Sequence, residues 1–507
     1  MPRRVVFALW LCAMAASAPA RADKADDTLR VAWGAGGPLE SADFYFSTTR
    51  TGMEIASLVW DTLVWRDPAD FSYQPLLAKA WRQIDDTTLE FDLRDDVAFQ
   101  DGSRFTAADV VGTLNTVAVP GFKALAQRNV NWIAAAVQIG MYRVRIISKL
   151  PFPPALDYIA NTLPIYPAEH YDAVGPERMG EHPIGTGPYR MVSVETGKAY
   201  RMVRNDNYFK GSPKGDRFIK TIDVREVPDE QARVAELLAH RADIIWDLGN
   251  DQLQQITRRP GFKTVQAETM RVGYLGLDAA GRSRTPALQS VDVRRAIAHA
   301  VDRQSIVRNL IGDAARVLDA PCYPKMFGCI GEAAHRYDYA PDKSRDLLRA
   351  SGYEGKVAFD FYVDPMMQAV GEAVASDLAK IGITARLRTP EPAALREAQV
   401  NDRTPMVLLS RDAHSVNDVS EIIGYFFQFG KQDYARDPEL HDWLRNADAT
   451  MDAAKRKELF AKAIERITDQ VYWLPMFTFV QNYAFTDQLA FTPSADELVR
   501  LYRVHWN

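Results

Sequence analysis

Apolar and polar positions in this chain follow two rhythms, and the changes of rhythm delimit its elements. Thr28 to Trp33 reads as a first strand, and the flexible Gly34-Ala35-Gly36-Gly37 after it leaves Trp33 at a strand end facing a loop. Ile55, Leu58, Val59 and Leu63 then recur at helical spacing behind the hydroxyl-rich turn Ser47-Thr48-Thr49-Arg50-Thr51-Gly52. Alternation on both sides of Asp85-Asp86 predicts a hairpin over Trp81 to Arg94, and Thr106 with Asp109 forms a capping box that opens a helix. Ala232 to Leu238 reads as a helix, and the strand Ala242 to Trp246 ends in an aromatic beside an acid, Trp246-Asp247. From Ser290 a helix starting at an Asp cap keeps Val293, Ile297 and Val301 on one face, and a second helix carries Ile306, Val307 and Leu310. The helix after Pro341 closes on Gly352, and the strand Val357 to Val363, the helix Val370 to Ile381 and the strand Ile383 to Leu387 follow. Alternating strands and helices of this kind predict an α/β fold with a parallel or mixed sheet.

The stretch with most functional content is Met406 to Asp412, an apolar run that ends abruptly in Arg411 and Asp412. It reads as a buried strand with its charges at the carboxyl end, where ligands sit in open α/β sheets. Ala413 to Asp418, with His414, and the aromatic segment Tyr425-Phe426-Phe427-Gln428-Phe429 come next, so charge beside aromatics suggests a binding wall. The turn holding Thr49 and Arg50 offers backbone N–H groups suited to an anionic ligand group, or simply capping hydroxyls.

At 507 residues the chain exceeds one ordinary core, so two or more domains are expected. Residues 1–22 read as a cleavable signal peptide: Arg3 and Arg4 precede an apolar run, and Ala20-Arg21-Ala22 is a small-x-small cleavage site. Cys12 follows Leu11 where lipid attachment needs a small residue. Without the leader the balance is 58 basic against 66 acidic residues, a net of -8, which argues against a nucleic-acid partner. Cys322 and Cys329 remain, and in an oxidising compartment they are expected to form a disulfide; a metal site would need further ligands, and the His residues lack paired spacing. There is no G-x-S-x-G elbow and no H-E-x-x-H, so an exported hydrolase is not supported.

Several segments in order resemble one family. Leu76 to Trp81, the hairpin, Val97 to Gly102 with Gln100 before Asp-Gly, Phe105 to Val110, Gly185-Thr186-Gly187-Pro188-Tyr189, Arg204 to Pro213, Ser290 to Arg303, Tyr339 to Tyr353 and Tyr472 to Phe477 resemble the peptide/nickel type (family 5) of bacterial extracellular solute-binding proteins. The resemblance implies a two-lobed periplasmic-binding-protein fold of type II, hinged on crossing strands. It places lobe I at 23–272 plus 478–507, with an inserted subdomain about 66–184, and lobe II at 273–477. It further implies a monomer without cofactor that is no enzyme and inserts no membrane segment. Such a protein closes over a peptide or peptide-like solute such as an opine and delivers it to the permease of an ABC importer. A metal chelate or a sensor role are the alternatives.

In peptide-binding relatives an aspartate after this strand pairs with the ligand's α-ammonium, and Asp412 matches it; the bland alternative is an internal pair with Arg411 or another basic residue. His414 could meet a chelated metal or a carboxylate, although the expected Asp-Pro beyond it is Asn417-Asp418 here. Arg50 could take a ligand carboxylate, with Trp33 and Trp246 stacking on apolar parts.

Overall fold

The computed structural model describes residues 26–34, 41–47, 49–413 and 416–507; the expected leader, Cys12 and His414 lie outside the described residues. Ten strands form a single mixed sheet: β1 (Thr28–Trp33), β2 (Tyr189–Glu195), β3 (Ala199–Arg204), β4 (Thr221–Glu226), β5 (Ile244–Trp246), β6 (Phe262–Leu277), β7 (Val357–Val363), β8 (Ile383–Arg388), β9 (Met406–Arg411) and β10 (Trp473–Thr486). Their spatial order is β8-β7-β9-β6-β10-β5-β1-β4-β3-β2. β1 is parallel to β4 and β5, and β7 is parallel to β8 and β9. The two long central strands, β6 of 16 residues and β10 of 14, pair antiparallel and pass from one half of the molecule to the other.

Each half has its own core. Leu29, Val31, Ile222 and Ile244 belong to one, together with the residues of a separate four-stranded antiparallel sheet that includes the hairpin Ala78–Asp85 and Thr88–Leu93. Leu275, Phe359, Phe361, Met406 and Leu408 anchor the other. The result is a two-lobed α/β molecule, with alternating inward positions such as Val357, Phe359, Phe361 and Val363 buried as the strand period requires.

Local details depart from the sequence expectations in three places. Helix α1 (Arg50–Val59) stops before Leu63, because Trp60 is extended and the chain turns so that buried Asp61 meets Lys214 at 2.7 Å. The helix Val291–Ala300 is capped at Ser290, with Asp292 inside the first turn, where its charge complements the helix dipole. The following helix is only Arg303–Ile306 and widens into a π-type turn over Val307–Ile311. In Gly185-Thr186-Gly187 the glycines answer to space: a Cβ on Gly185 would lie 2.0 Å from the Val59 carbonyl oxygen, and one on Gly187 would lie 2.4 Å from that of Leu58.

Cys322 and Cys329 form a disulfide, with Cα atoms 5.8 Å apart. Its loop supports the segment after β9: the Val419 N–H donates to the Phe327 carbonyl at 3.0 Å, and Phe327 pairs with Asp418. Replacing both cysteines with serine should cost about 2–2.5 kcal/mol from loop-closure entropy. Urea denaturation without reductant measures this, and an unchanged midpoint would mean that packing alone holds the loop. No helix among the described residues is long and apolar enough to cross a membrane.

Candidate functional site

The site forms where β9 ends between the halves. β9 is held by β6 on one side, with Val272 opposite Arg411, and by β7 on the other. Met406, Val407 and Leu408 are buried, whereas Leu409, Ser410 and Arg411 are half-buried. Asp412 leaves the ladder with its side chain 34% exposed and borders a cavity of about 620 Å³.

Five charged residues cross this cavity's wall in a chain. The Asp412 carboxylate lies 3.5 Å from Arg271 Nη2, and Arg271 donates through Nε and Nη2 to Glu497 at 3.3 and 3.2 Å. Glu497 also pairs with Arg50, whose other partner is Asp247 at 3.6 Å. Arg50 is the first residue of α1, where a cation opposes the helix dipole. Burial works against its charge as well, yet Glu497 and then Asp247 outweigh both and its pKa is raised. Asp247 and Glu497 sit at φ 57° and 63°, so both acids hold a left-handed backbone at this point.

Arg271 reaches the cavity because β6 bulges. The register slips between Glu268 and Val272, which frees Thr269 to Arg271 from the ladder with β10, and the Met270 N–H donates instead to the Ala495 carbonyl at 2.7 Å. The bulge and the C-terminal segment thereby bring Arg271 and Glu497 together.

Arg411 takes the opposite course. Its guanidinium lies 5.4 Å from the ring centre of Tyr425 and 5.6 Å from that of Phe426, and its Nε donates to the Glu421 carbonyl at 3.3 Å. It borders a second cavity, of about 1000 Å³, that adjoins the first at Met53, Asp364 and Ser410.

Of the residues singled out from sequence, the structure brings Asp412 and Arg50 to the smaller cavity and Arg411 to the larger one. Thr49 is the N-cap of α1, its hydroxyl accepting from the Gly52 N–H at 3.1 Å, so capping is the role that it fills. Trp33 and Trp246 correct the expectation of stacking on a ligand. They are 3% and 2% exposed, and their rings meet edge to face at 6.4 Å between the neighbouring strands β1 and β5. Arg271, Glu497 and Asp364 were not singled out; a charge breaking the alternation at Glu268-Thr269-Met270-Arg271 was the one local signal.

Residues 72–434 match the family described as bacterial extracellular solute-binding proteins, family 5 Middle. Heme-binding protein A of Haemophilus influenzae is 25% identical, over 82% of this chain and 81% of the relative. The nickel-binding periplasmic protein of Escherichia coli is also 25% identical, over 94% of this chain and 92% of the relative. The crystal structure of a dipeptide-binding protein from Pseudoalteromonas sp. SM9913 in complex with Met-Leu superposes with a TM-score of 0.74 at 19% identity, over 94% of this chain and 100% of the other.

Proposed function

The chain belongs to the family 5 bacterial extracellular solute-binding proteins, and from that premise we propose that it captures a peptide or peptide-like solute by its ammonium group and delivers it to an ABC permease. The observation that carries this reading is the position of Asp412. It stands at the tip of a buried strand, between the two halves, with its carboxylate on a cavity whose other acids are Asp247, Asp364, Asp496 and Glu497. A carboxylate in a partly water-excluded cleft binds an ammonium through a charge-assisted hydrogen bond that also fixes orientation. Arg271 pairs with Asp412 at 3.5 Å, the internal pairing that is the alternative to this role, so a ligand ammonium shares or displaces that contact on this reading.

The halves on this reading are 23–272 with 478–507, and 273–477. The break in the β6–β10 ladder next to Val272 and Thr478 supports that division. Ligand contacts on both sides of the cleft then favour the closed arrangement. Cleavage after residue 22 and release to the periplasm belong to the same proposal.

Native mass spectrometry of the gently purified exported protein reads both the mature mass and any retained solute. With a bound peptide in hand, Asp412→Asn should weaken binding by about 1.5–3 kcal/mol in calorimetry; unchanged affinity removes Asp412 from the role. The metal-chelate alternative is addressed by elemental analysis of protein purified without chelator. Among the described residues no cluster of three or more His, Cys, Asp or Glu is placed to hold a metal ion, and nickel bound in equal amount would overturn the peptide reading.

A further inference from the structure

Arg411 and Asp412 are consecutive, opposite in charge, and border different cavities. Successive side chains at a strand end project to opposite sides, so the tip of β9 acts as a partition. Ser410, Met53 and Asp364 border both spaces, so the two cavities adjoin at that tip.

The two spaces differ in charge. The smaller one is acidic, with Asp247, Asp364, Asp412, Asp496 and Glu497 against Arg50 and Arg271. The larger is balanced, with Arg128, Arg396 and Arg411 against Asp364, Glu421 and Asp448, and carries the rings of Tyr158, Tyr425 and Phe426. Its Glu421 is already engaged by Arg128 at 3.7 Å and by the Tyr158 hydroxyl, and its Asp448 accepts from Gln428 at 2.9 Å.

Arg411 differs from the arginines that hold this fold together. Arg303 donates to three backbone carbonyls and to Asp319, and Arg456 donates to the Ala447 carbonyl and to both oxygens of Asp418. Arg411 makes one hydrogen bond among the described residues, from Nε, and has no carboxylate within ion-pair distance there. A guanidinium offers five N–H donors in a fixed fork, the shape that grips a carboxylate with two parallel bonds. Resting on two rings holds that fork in place before a ligand arrives, which lowers the entropic cost of binding.

We infer that Arg411 is the solute's carboxylate anchor, so that the ligand spans both cavities with its ammonium at Asp412, its free carboxylate at Arg411 and an apolar arm against Tyr425 and Phe426. The inference rests on the ammonium reading above and narrows the solute to peptides longer than two residues, or conjugates of similar reach. Cavities of about 300–1,000 Å³ each suffice for a drug-sized ligand. With spaces of about 620 and 1000 Å³ side by side, a dipeptide at Asp412 would leave the larger one unused.

The test is calorimetry with free-acid peptides of two to six residues, each paired with its C-terminal amide and its N-acetyl form. Tripeptides and longer should bind at least ~10-fold tighter than dipeptides, and amidation should weaken them ~10-fold or more. Arg411→Gln should bring the free acid to the level of the amide while leaving the amide unchanged, and Arg411→Lys should restore part of the difference. Circular dichroism and thermal melts of both variants verify folding.

Equal binding of acid and amide by the wild type overturns the Arg411 assignment, as does equal binding of dipeptides and longer peptides. Loss of binding on N-acetylation in that same experiment leaves the ammonium reading standing. Indifference to both modifications, or no binding by any peptide, removes the two together.

Discussion

Arg66→Met should destabilise the protein by about 3–5 kcal/mol, the cost of removing one partner from a buried charge pair. The Arg66 side chain is fully buried, donating from Nη1 to both Asp157 oxygens at 2.9 and 3.0 Å and from Nη2 to Asp496 at 2.9 Å. Asp496 retains Arg500 at 2.7 Å in the variant, whereas Asp157, 2% exposed, keeps the Asn417 N–H, Asn161 and the Tyr73 hydroxyl as donors but loses its cation. Burial already pushes the Asp157 carboxyl upward, with Arg66 the main force holding it down. The loss should therefore be greater at pH 7 than at pH 5, and Asp157→Asn in the same chain should recover part of it. Urea denaturation at the two pH values measures both, and a loss under about 1 kcal/mol would place this network among the weak ion pairs typical of surfaces. The network also bears on the cleft, because Asp496 immediately precedes Glu497 and fixes the segment that presents it to Arg50 and Arg271.

Glu54→Gln should remove a large part of the fall in stability between about pH 5 and pH 8. Glu54 lies one turn beyond Arg50 on α1, is 3% exposed and accepts from the Val499 N–H at 2.9 Å. Burial pushes its carboxyl up to about 8, against the Val499 N–H and Arg50, which favour the charge. A folded-state value above the unfolded one means that the native protein binds this proton more tightly. The resulting stability is complete below the unfolded value of 4.5 and is lost as pH rises through about 8. At about 1.36 kcal/mol per unit, the full span from 4.5 to about 8 is on the order of 5 kcal/mol. Gln keeps the acceptor for Val499 and has no proton to lose, so the variant should match the wild type near pH 5 and exceed it at pH 8.5. Asp43, raised to about 7 chiefly by burial, adds to the same fall and remains in the variant. A stability difference between the two proteins that does not change with pH would contradict the assignment to Glu54.

What the sequence reveals here is whatever depends on neighbours along the chain. β1 and β7 occupy the residues that their pattern marks, and β9 ends where apolar residues give way to Arg411. A strand tip that carries charge is a local pattern, so Asp412 could be singled out before its surroundings were known. Arg271 and Glu497 could not, since they stand 226 positions apart and meet through a bulge and a returning terminal segment. Trp33 and Trp246 mislead for the complementary reason. An aromatic at the end of a strand looks like a cleft wall in one dimension, but β1 and β5 are adjacent inside the sheet, and the two rings are buried against each other. The family's glycine signature was legible as a turn, while its reason, the close passage of the Val59 backbone, belongs to tertiary packing.

The bulge at Thr269 to Arg271 also determines how the molecule can bend. It divides the central ribbon into two ladders, Phe262 to Glu268 against Val480 to Thr486 and Val272 to Gly276 against Trp473 to Thr478, the second with a smaller register slip between Gly273 and Tyr274. The first ladder is backed by β5 and the second by β9, so each is built into one half as a beam is built into a wall. Between them lies a short length without ladder hydrogen bonds, and compliance concentrates there. A turn of one half against the other breaks fewest ladder hydrogen bonds at that joint, and the residue there is Arg271, the cation that faces Asp412.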